Sequence, residues 1–219
     1  MKQLTVPYLD QVNHWSSSDE IFSAMADLPR TKLQEVPWPA EFPYKPEVCF
    51  RLAHAEDCLL LNFEVQEKHV RAVYRQTNDP VYKDSCVEFF LSFDTQHYYN
   101  FEFNCAGIGL IGYGTSDKRT RNRLSKERIE KVKTVSSLPV NGQIGDETTW
   151  ELLLNIPFEV FTGDHITSFA GKRCTANFYK CGDDLPIPHY VSWNRIEHPV
   201  PNFHLPEFFG ELLFNNIGN

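Results

Sequence analysis

The sequence predicts an all-β fold, an antiparallel β-sandwich of immunoglobulin or jelly-roll type with a short N-terminal helix and an extended N-terminal arm. Three observations lead there. Eight or more short segments alternate apolar and polar residues with the two-residue period of a half-buried strand. They follow one another without long helical patterns in between, which excludes a βαβ arrangement. The 14 prolines suit a chain of many turns and few long helices. With 219 residues and no Gly/Ser linker or low-complexity tract, the chain reads as a single domain, 1–219, whose residues 1–46 form an irregular arm packed on the sandwich.

Within that arm, Ser18 precedes Asp19, Glu20 and an apolar pattern at Ile21, Phe22, Met25 and Leu28, a capped helix start that Pro29 brings to an end. The segment EVPWPAEFPYKP cannot be a central strand, because proline lacks the amide donor; it is expected to lie extended on the sandwich with Trp38 and Phe42 as anchors. Strands are expected over residues 48–52 and 59–65, with a weaker one over 70–74. A Gly-interrupted edge or bulge is expected at 108–113. Residues 115–127, TSDKRTRNRLSKE, are a charged loop, either simply solvated or able to send Arg119 and Arg121 toward a sugar or an acidic face. Residues 128–135 alternate ambiguously, 150–156 alternate cleanly up to Pro157, and 172–179, 189–193 and 210–214 complete the set.

The organising stretch is DPVYKDSCVEFFLSFDTQHYYNFEFNCAGIG, residues 79–109, where two aromatic-rich alternating runs form a hairpin around Thr95, Gln96 and His97. Pairing Asp94 with Tyr98 sets Phe93 opposite Tyr99, Leu91 opposite Phe101, Phe89 opposite Phe103 and Val87 opposite Cys105, one continuous apolar face. The other face then collects Glu88, Phe90, Ser92, Asn100, Glu102 and Asn104, with Glu88 across from Asn104. An even-length loop would set Glu102 over the core, so an odd length is expected. The polar face is either a solvated outer surface or a stiff display of carboxylates and carboxamides for a polyhydroxylated ligand or calcium.

A net charge of −8 and a pI near 5.5 disfavour nucleic acid and anionic membrane, both of which call for a basic surface. The amino terminus, MKQLTVPYLDQVNHW, has no apolar h-region, so a cytoplasmic location is expected, or a periplasmic or extracellular one if a leader has been removed. The six cysteines lack any C-x-x-C pair, which argues against a zinc site of that pattern. Alternation puts Cys86 and Cys105 on opposite faces, which argues against a bridge between them.

Two constellations bear on chemistry. Asp79, Asp84 and Glu88 are close enough in sequence to share a calcium with backbone carbonyls, although Asp-Pro is also ordinary turn chemistry and the spacing is not an EF-hand. In His189-Tyr190-Val191-Ser192-Trp193, alternation puts His189, Val191 and Trp193 on one side, and Trp193 is either core or a stacking platform. Hydrolysis through Glu88 and Glu102 would need a desolvated pair facing each other across a bond, which an open sheet face does not provide. Nucleophile elbows, phosphate loops and dinucleotide fingerprints are absent.

The stretches DPVYKDSCVEFFLSF, YYNFEFNCAGIGL, TWELLLNIPF, ANFYKCGD, HYVSW and NFHLPEFFGELLF run in order from Asp79 to Phe214. Together they resemble the family 9 carbohydrate-binding modules, more closely the family-9-like branch found in polysaccharide-degrading bacteria. The resemblance implies a DOMON-like sandwich that binds a mono- or oligosaccharide without cleaving it, in polysaccharide utilisation, often with structural calcium, for which Asp79 and Asp84 are the candidates. It implies Trp193 as one stacking platform, Tyr82 or Tyr179 as the other, and Arg75, Glu88, Glu102, Asn104 and His189 as polar partners. Such modules are usually appended to a secreted glycoside hydrolase, and many carry tryptophan where this chain has Tyr82. The alternatives are a glycosidase using Glu88 and Glu102, or an interaction module that has lost the sugar site.

Overall fold

The computed structural model describes residues 1–138 and 147–218. In chain order the elements are β1 (Gln3–Val6), α1 (Ser18–Met25), β2 (Thr31–Lys32), β3 (Glu47–His54), β4 (Cys58–Glu67), β5 (Cys86–Ser92) and β6 (Tyr98–Asn104). They continue with β7 (Gly109–Gly114), β8 (Asn122–Arg123), α2 (Lys126–Ile129), β9 (Lys133–Ser136), β10 (Thr148–Pro157), β11 (Arg173–Cys181), β12 (Tyr190–Ser192) and β13 (Gly210–Phe214). Among the described residues these strands form two sheets, ordered β1-β13-β11-β5-β6-β7-β8, with β12 also paired to β11, and β2-β3-β4-β10-β9. The result is the expected β-sandwich, with one exception to its antiparallel rule: β1 runs parallel to β13.

Between the sheets lies a core dominated by the inward aromatics that alternation predicts. Phe178 of β11 stacks on Phe50 of β3 at 3.8 Å and on Phe89 of β5 at 4.9 Å, so the two sheets are joined ring to ring. Each such fully buried ring contributes about 1.5–3 kcal/mol. The outer faces are covered as well. Helix α1 and the segment before it bury Leu9, Val12, Ile21 and Met25 against Leu60 and Leu153 of the five-stranded sheet. On the eight-stranded sheet, Trp38, Val81, Ile196 and Phe203 arrive from loops and cover Phe90, Tyr98 and Tyr179. Trp38 anchors the proline-rich arm as expected, its Nε1 donating to the His198 carbonyl at 2.7 Å.

Several local expectations are corrected. Helix α1 is capped by Ser17 rather than Ser18, because Ser17 and Glu20 complete a reciprocal capping box. The weak strand expected at 70–74 is a loop whose amides are satisfied by the side chains of Ser85 and Asp84 instead of a neighbouring strand. The ambiguous stretch after Ser125 divides into α2 and β9.

The central hairpin keeps the expected faces but not the expected pairing. Leu91 lies opposite Tyr99, Phe89 opposite Phe101 and Val87 opposite Phe103, so Glu88 faces Glu102 and Asn104 faces Cys86. The loop is odd in length, as expected, but spans residues 93–97. Polar side chains close it: Ser92 Oγ accepts from the Thr95 amide (2.9 Å) and donates to the His97 carbonyl (2.6 Å). Asp94 Oδ1 accepts from the amides of Gln96 and His97. Thr95 adopts a left-handed φ of 69° to make the turn. A slip of two residues leaves every side chain on its own face, so hydrophobic alternation was blind to it.

Candidate functional site

The polar face of the hairpin is neither open nor flat. The loop carrying Pro201 to His204, the turn at Tyr82 and the segment around Arg121 rise around it and leave a cleft of about 480 Å³. Glu88, Asn100, Glu102 and Cys181 project from β5, β6 and β11 into its floor. Tyr82, Tyr190 and Phe203 supply aromatic walls, and Arg121, Arg123 and Asp183 supply charge.

Each of these side chains is held. Glu88 and Glu102 are directly paired across strands and are 4% and 5% exposed. Burial raises Glu102 to about 7, against the opposing pull of the Asn100 amide, which donates to Oε1 at 2.7 Å, and of Arg121 and Arg123. Burial, the nearby Cys181 and the facing Glu102 push Glu88 well above the usual carboxylate range. Two carboxyls this close cannot both ionise cheaply, so the floor favours one protonated carboxyl as donor beside one acceptor. The expectation that nothing would desolvate them is therefore overturned by the loops that cover the sheet.

Arg121 is locked over the rim. Its guanidinium donates to the carbonyls of Gly114 (3.0 Å) and Thr115 (2.9 Å), bonds Asn100 Oδ1, and lies 4.0 Å over the Tyr98 ring. Of the two arginines singled out in the charged loop, Arg121 thus reaches the acidic face, whereas Arg119 is taken by Asp117 on the surface. At the other end the Tyr190 hydroxyl bonds Asp183, whose carboxyl burial raises. Phe203 stacks on Tyr179 at 4.1 Å and 10°, fixing the loop wall to the sheet.

Of the residues expected at the site, Tyr82, Glu88 and Glu102 line the cleft. The others sit elsewhere. Trp193 is 3% exposed on the inter-sheet side, edge-on to Phe178, and Gly210 lies so close that a Cβ there would meet the indole at 2.4 Å; it is core, with no free face for a ligand. Tyr179 lies beneath Phe203, with its hydroxyl donating to that residue's carbonyl at 3.3 Å. His189 is fully buried against Lys180. Asn104 is a structural bracket that bonds Asp84, the Tyr74 carbonyl and the amides of Ala106 and Ile108. Arg75 is exposed and lines no part of the cleft.

The bonds already made at Asp84 oppose the calcium expectation there. Asp84 Oδ2 already accepts from the amides of Val73 and Tyr74 and from Asn104, and Oδ1 is taken by Arg71. Asp79 Oδ2 accepts from the amides of Arg75 (3.1 Å) and Gln76 (2.9 Å). Asp84, saturated by donors and a guanidinium, has nothing left for a cation. Among the described residues one set of metal-ligating side chains does come together, Cys86, Glu88 and Cys181, with donor atoms within 4.8 Å of one another.

Sequence reasoning missed Tyr190, Phe203, Asp183 and Cys181. Alternation does put Tyr190 on the side opposite Trp193, but which side faces the cleft follows only from β12 pairing with β11. Phe203 sits in a loop without periodicity and left no signal.

Residues 9–214 match the sequence profile described as Carbohydrate-binding family 9. No curated protein matches. Among solved structures, a Bacteroides uniformis ATCC 8492 protein described as a candidate carbohydrate-binding protein is 40% identical, with 98% of this chain and 99% of that one covered and a TM-score of 0.90. A family 9 module from Caldicellulosiruptor kristjanssonii solved with glucose is 13% identical over 100% and 98% of the two chains, with a TM-score of 0.65. The same description with cellotriose gives 14%, 100% and 96%, and 0.62, similarity that speaks for the fold alone.

Proposed function

The chain belongs to carbohydrate-binding family 9, and from that premise we propose that it holds a mono- or short oligosaccharide in the cleft over β5 and β6, without cleaving it, in the service of polysaccharide utilisation. The observation that carries this is the convergence on one concave site of aromatic walls, Tyr82, Tyr190 and Phe203, with the floor pair Glu88 and Glu102 and the rim cations Arg121 and Arg123. Sugar rings present C–H faces to aromatic groups and a ring of hydroxyls to donors and acceptors, and a carboxyl pair that shares a proton supplies both. A volume near 480 Å³ falls in the range of small-ligand sites. That relatives have been solved with glucose and cellotriose supports a glucose-type ligand as the first to try.

The two carboxyls do not make this a glycosidase. A hydrolase needs them on either side of the scissile bond, whereas Glu88 and Glu102 are neighbours on one floor. Calorimetric titration with glucose, cellobiose and cellotriose, backed by a glycan array, tests the proposal. Saturable binding that weakens in Tyr190→Ala and Arg123→Ala is expected, with folding checked by circular dichroism. Absence of binding to any saccharide would overturn it.

A further inference from the structure

Beneath the cleft, β5 and β11 bring two thiols and a carboxyl to one point. Cys86 and Cys181 are directly paired across the two strands, and Glu88 follows Cys86 by two residues, so all three side chains stand on the outer face of the sheet. The Cys181 thiol donates to Glu88 Oε1 at 3.1 Å, and the three donor atoms lie within 4.8 Å of one another. No cationic side chain balances them from the same strand: Lys180, next to Cys181, points to the other face and is held by Glu67.

We propose that Cys86, Glu88 and Cys181 form a three-ligand site for a thiophilic divalent cation of the zinc class, with its fourth position open to the cleft. Bond lengths of about 2.3 Å to sulfur and about 2.0–2.2 Å to oxygen put tetrahedral donors roughly 3.6–3.8 Å apart, so the Cys181–Glu88 contact needs to open by only some tenths of an ångström. The backbone holding the ligands is two adjacent central strands, the stiffest support a sheet offers. Cys181 and Glu88 both line the cleft, which gives the ion a path in and a water or ligand hydroxyl a place on it.

Metal binds the thiolate and carboxylate forms, so uptake of M²⁺ displaces the two thiol protons, and any proton held on Glu88, to solvent and leaves a complex of net charge −1. That charge faces the Arg121 and Arg123 guanidiniums on the cleft rim. Affinity rises with pH accordingly.

The site shares Glu88 with the proposed sugar cleft but does not depend on it, and the test is made without sugar. The full chain, reduced and metal-free, is titrated with Co²⁺. One equivalent is expected to bind with a thiolate-to-cobalt charge-transfer band in the near ultraviolet that Zn²⁺ then abolishes, with release of up to three protons read from the buffer dependence of the heat. Cys86→Ser and Cys181→Ser are each expected to weaken the band, and the double variant to abolish it with the other four cysteines in place. Glu88→Gln is expected to weaken Zn²⁺ by at least ~100-fold, since even outer-shell partners are worth ~10–100-fold. No stoichiometric band in wild type, or a band undiminished in both serine variants, overturns the proposal. So does a chain whose two thiols resist alkylation and whose mass is 2 Da low, which would make the pair a disulfide. Sugar titration of metal-free protein is scored separately, so loss of either activity leaves the other reading standing.

Discussion

Lys180 and Cys181 are consecutive on β11, point to opposite sides of one sheet, and enter two buried polar clusters of opposite character. On the inner side Lys180 Nζ lies 2.8 Å from Glu67 Oε2 and donates to His189 Nε2 (2.9 Å) and the Cys181 carbonyl (2.9 Å), while Trp150 Nε1 donates to Glu67 Oε1 (2.8 Å). Charge is balanced, His189 is held neutral with its Nδ1 on the Ile187 carbonyl, and all of it is sealed from water. On the outer side Glu88, Glu102 and Cys181 sit at the floor of an open cleft, carboxyl facing carboxyl, with Cys86 beneath them. Burial is nearly the same in both places. Pairing is what differs: the inner cluster joins β4 to β11 with a cation against its carboxylate, whereas the outer one sets carboxyl against carboxyl, keeps its cations at the rim and is open to a ligand.

The largest expected effect attacks the inner cluster. Lys180→Met strands Glu67 without its cation and should cost about 3–5 kcal/mol in urea unfolding, with the sugar affinity of the folded fraction unchanged. Trp193→Ala should cost about 3–4 kcal/mol by opening the inter-sheet core, again without touching sugar binding; a selective loss of affinity would show that Trp193 does work as a platform. Glu102→Gln should instead stabilise above neutral pH. The folded carboxyl, near 7, keeps a proton that the unfolded one gives up from about 4.5, so wild-type stability falls as pH rises through that window, by about 2–3 kcal/mol. The glutamine variant should lack that fall.

His189 works in the other direction. Burial, with Lys180 close by, lowers its pKa to about 3, so its contribution is present in full above 6.5 and drains away as pH falls toward 3. Unfolding at pH 5 should read about 2 kcal/mol less stable than at pH 7 from this residue, a difference that shrinks in His189→Gln. The smallest effect on binding is Tyr190→Ala, about tenfold in sugar affinity, near 1.4 kcal/mol, read on the folded fraction because the ring also packs against Trp38, Phe42 and Phe203.

Alternation was enough to read the sandwich, the parity of the central hairpin and the separation of Cys86 from Cys105, because one side of each strand faces a core. It was not enough for the hairpin register, which the polar caps Ser92 and Asp94 set. Nor did it reveal the cleft, whose walls come from the aperiodic segments at Tyr82, Arg121 and Phe203. Trp193 illustrates the gap: the sequence put it on one side of its strand, and only the pairing of β12 with β11 turned that side inward. Asp84 misled for a related reason, since its partners are backbone amides that no side-chain pattern announces.

The parallel ladder between β1 and β13 ties Gln3 to Glu211 and Val6 to Phe214. Few contacts span a greater sequence separation, so this edge is assembled among the last steps of folding. A nascent chain must hold residues 173–176 of β11 as an unpaired rim until β13 has been made, and β1 has no partner strand before then. The interval between synthesis of β11 and synthesis of β13 is therefore one in which that rim is open to aggregation, and to any chaperone that prevents it.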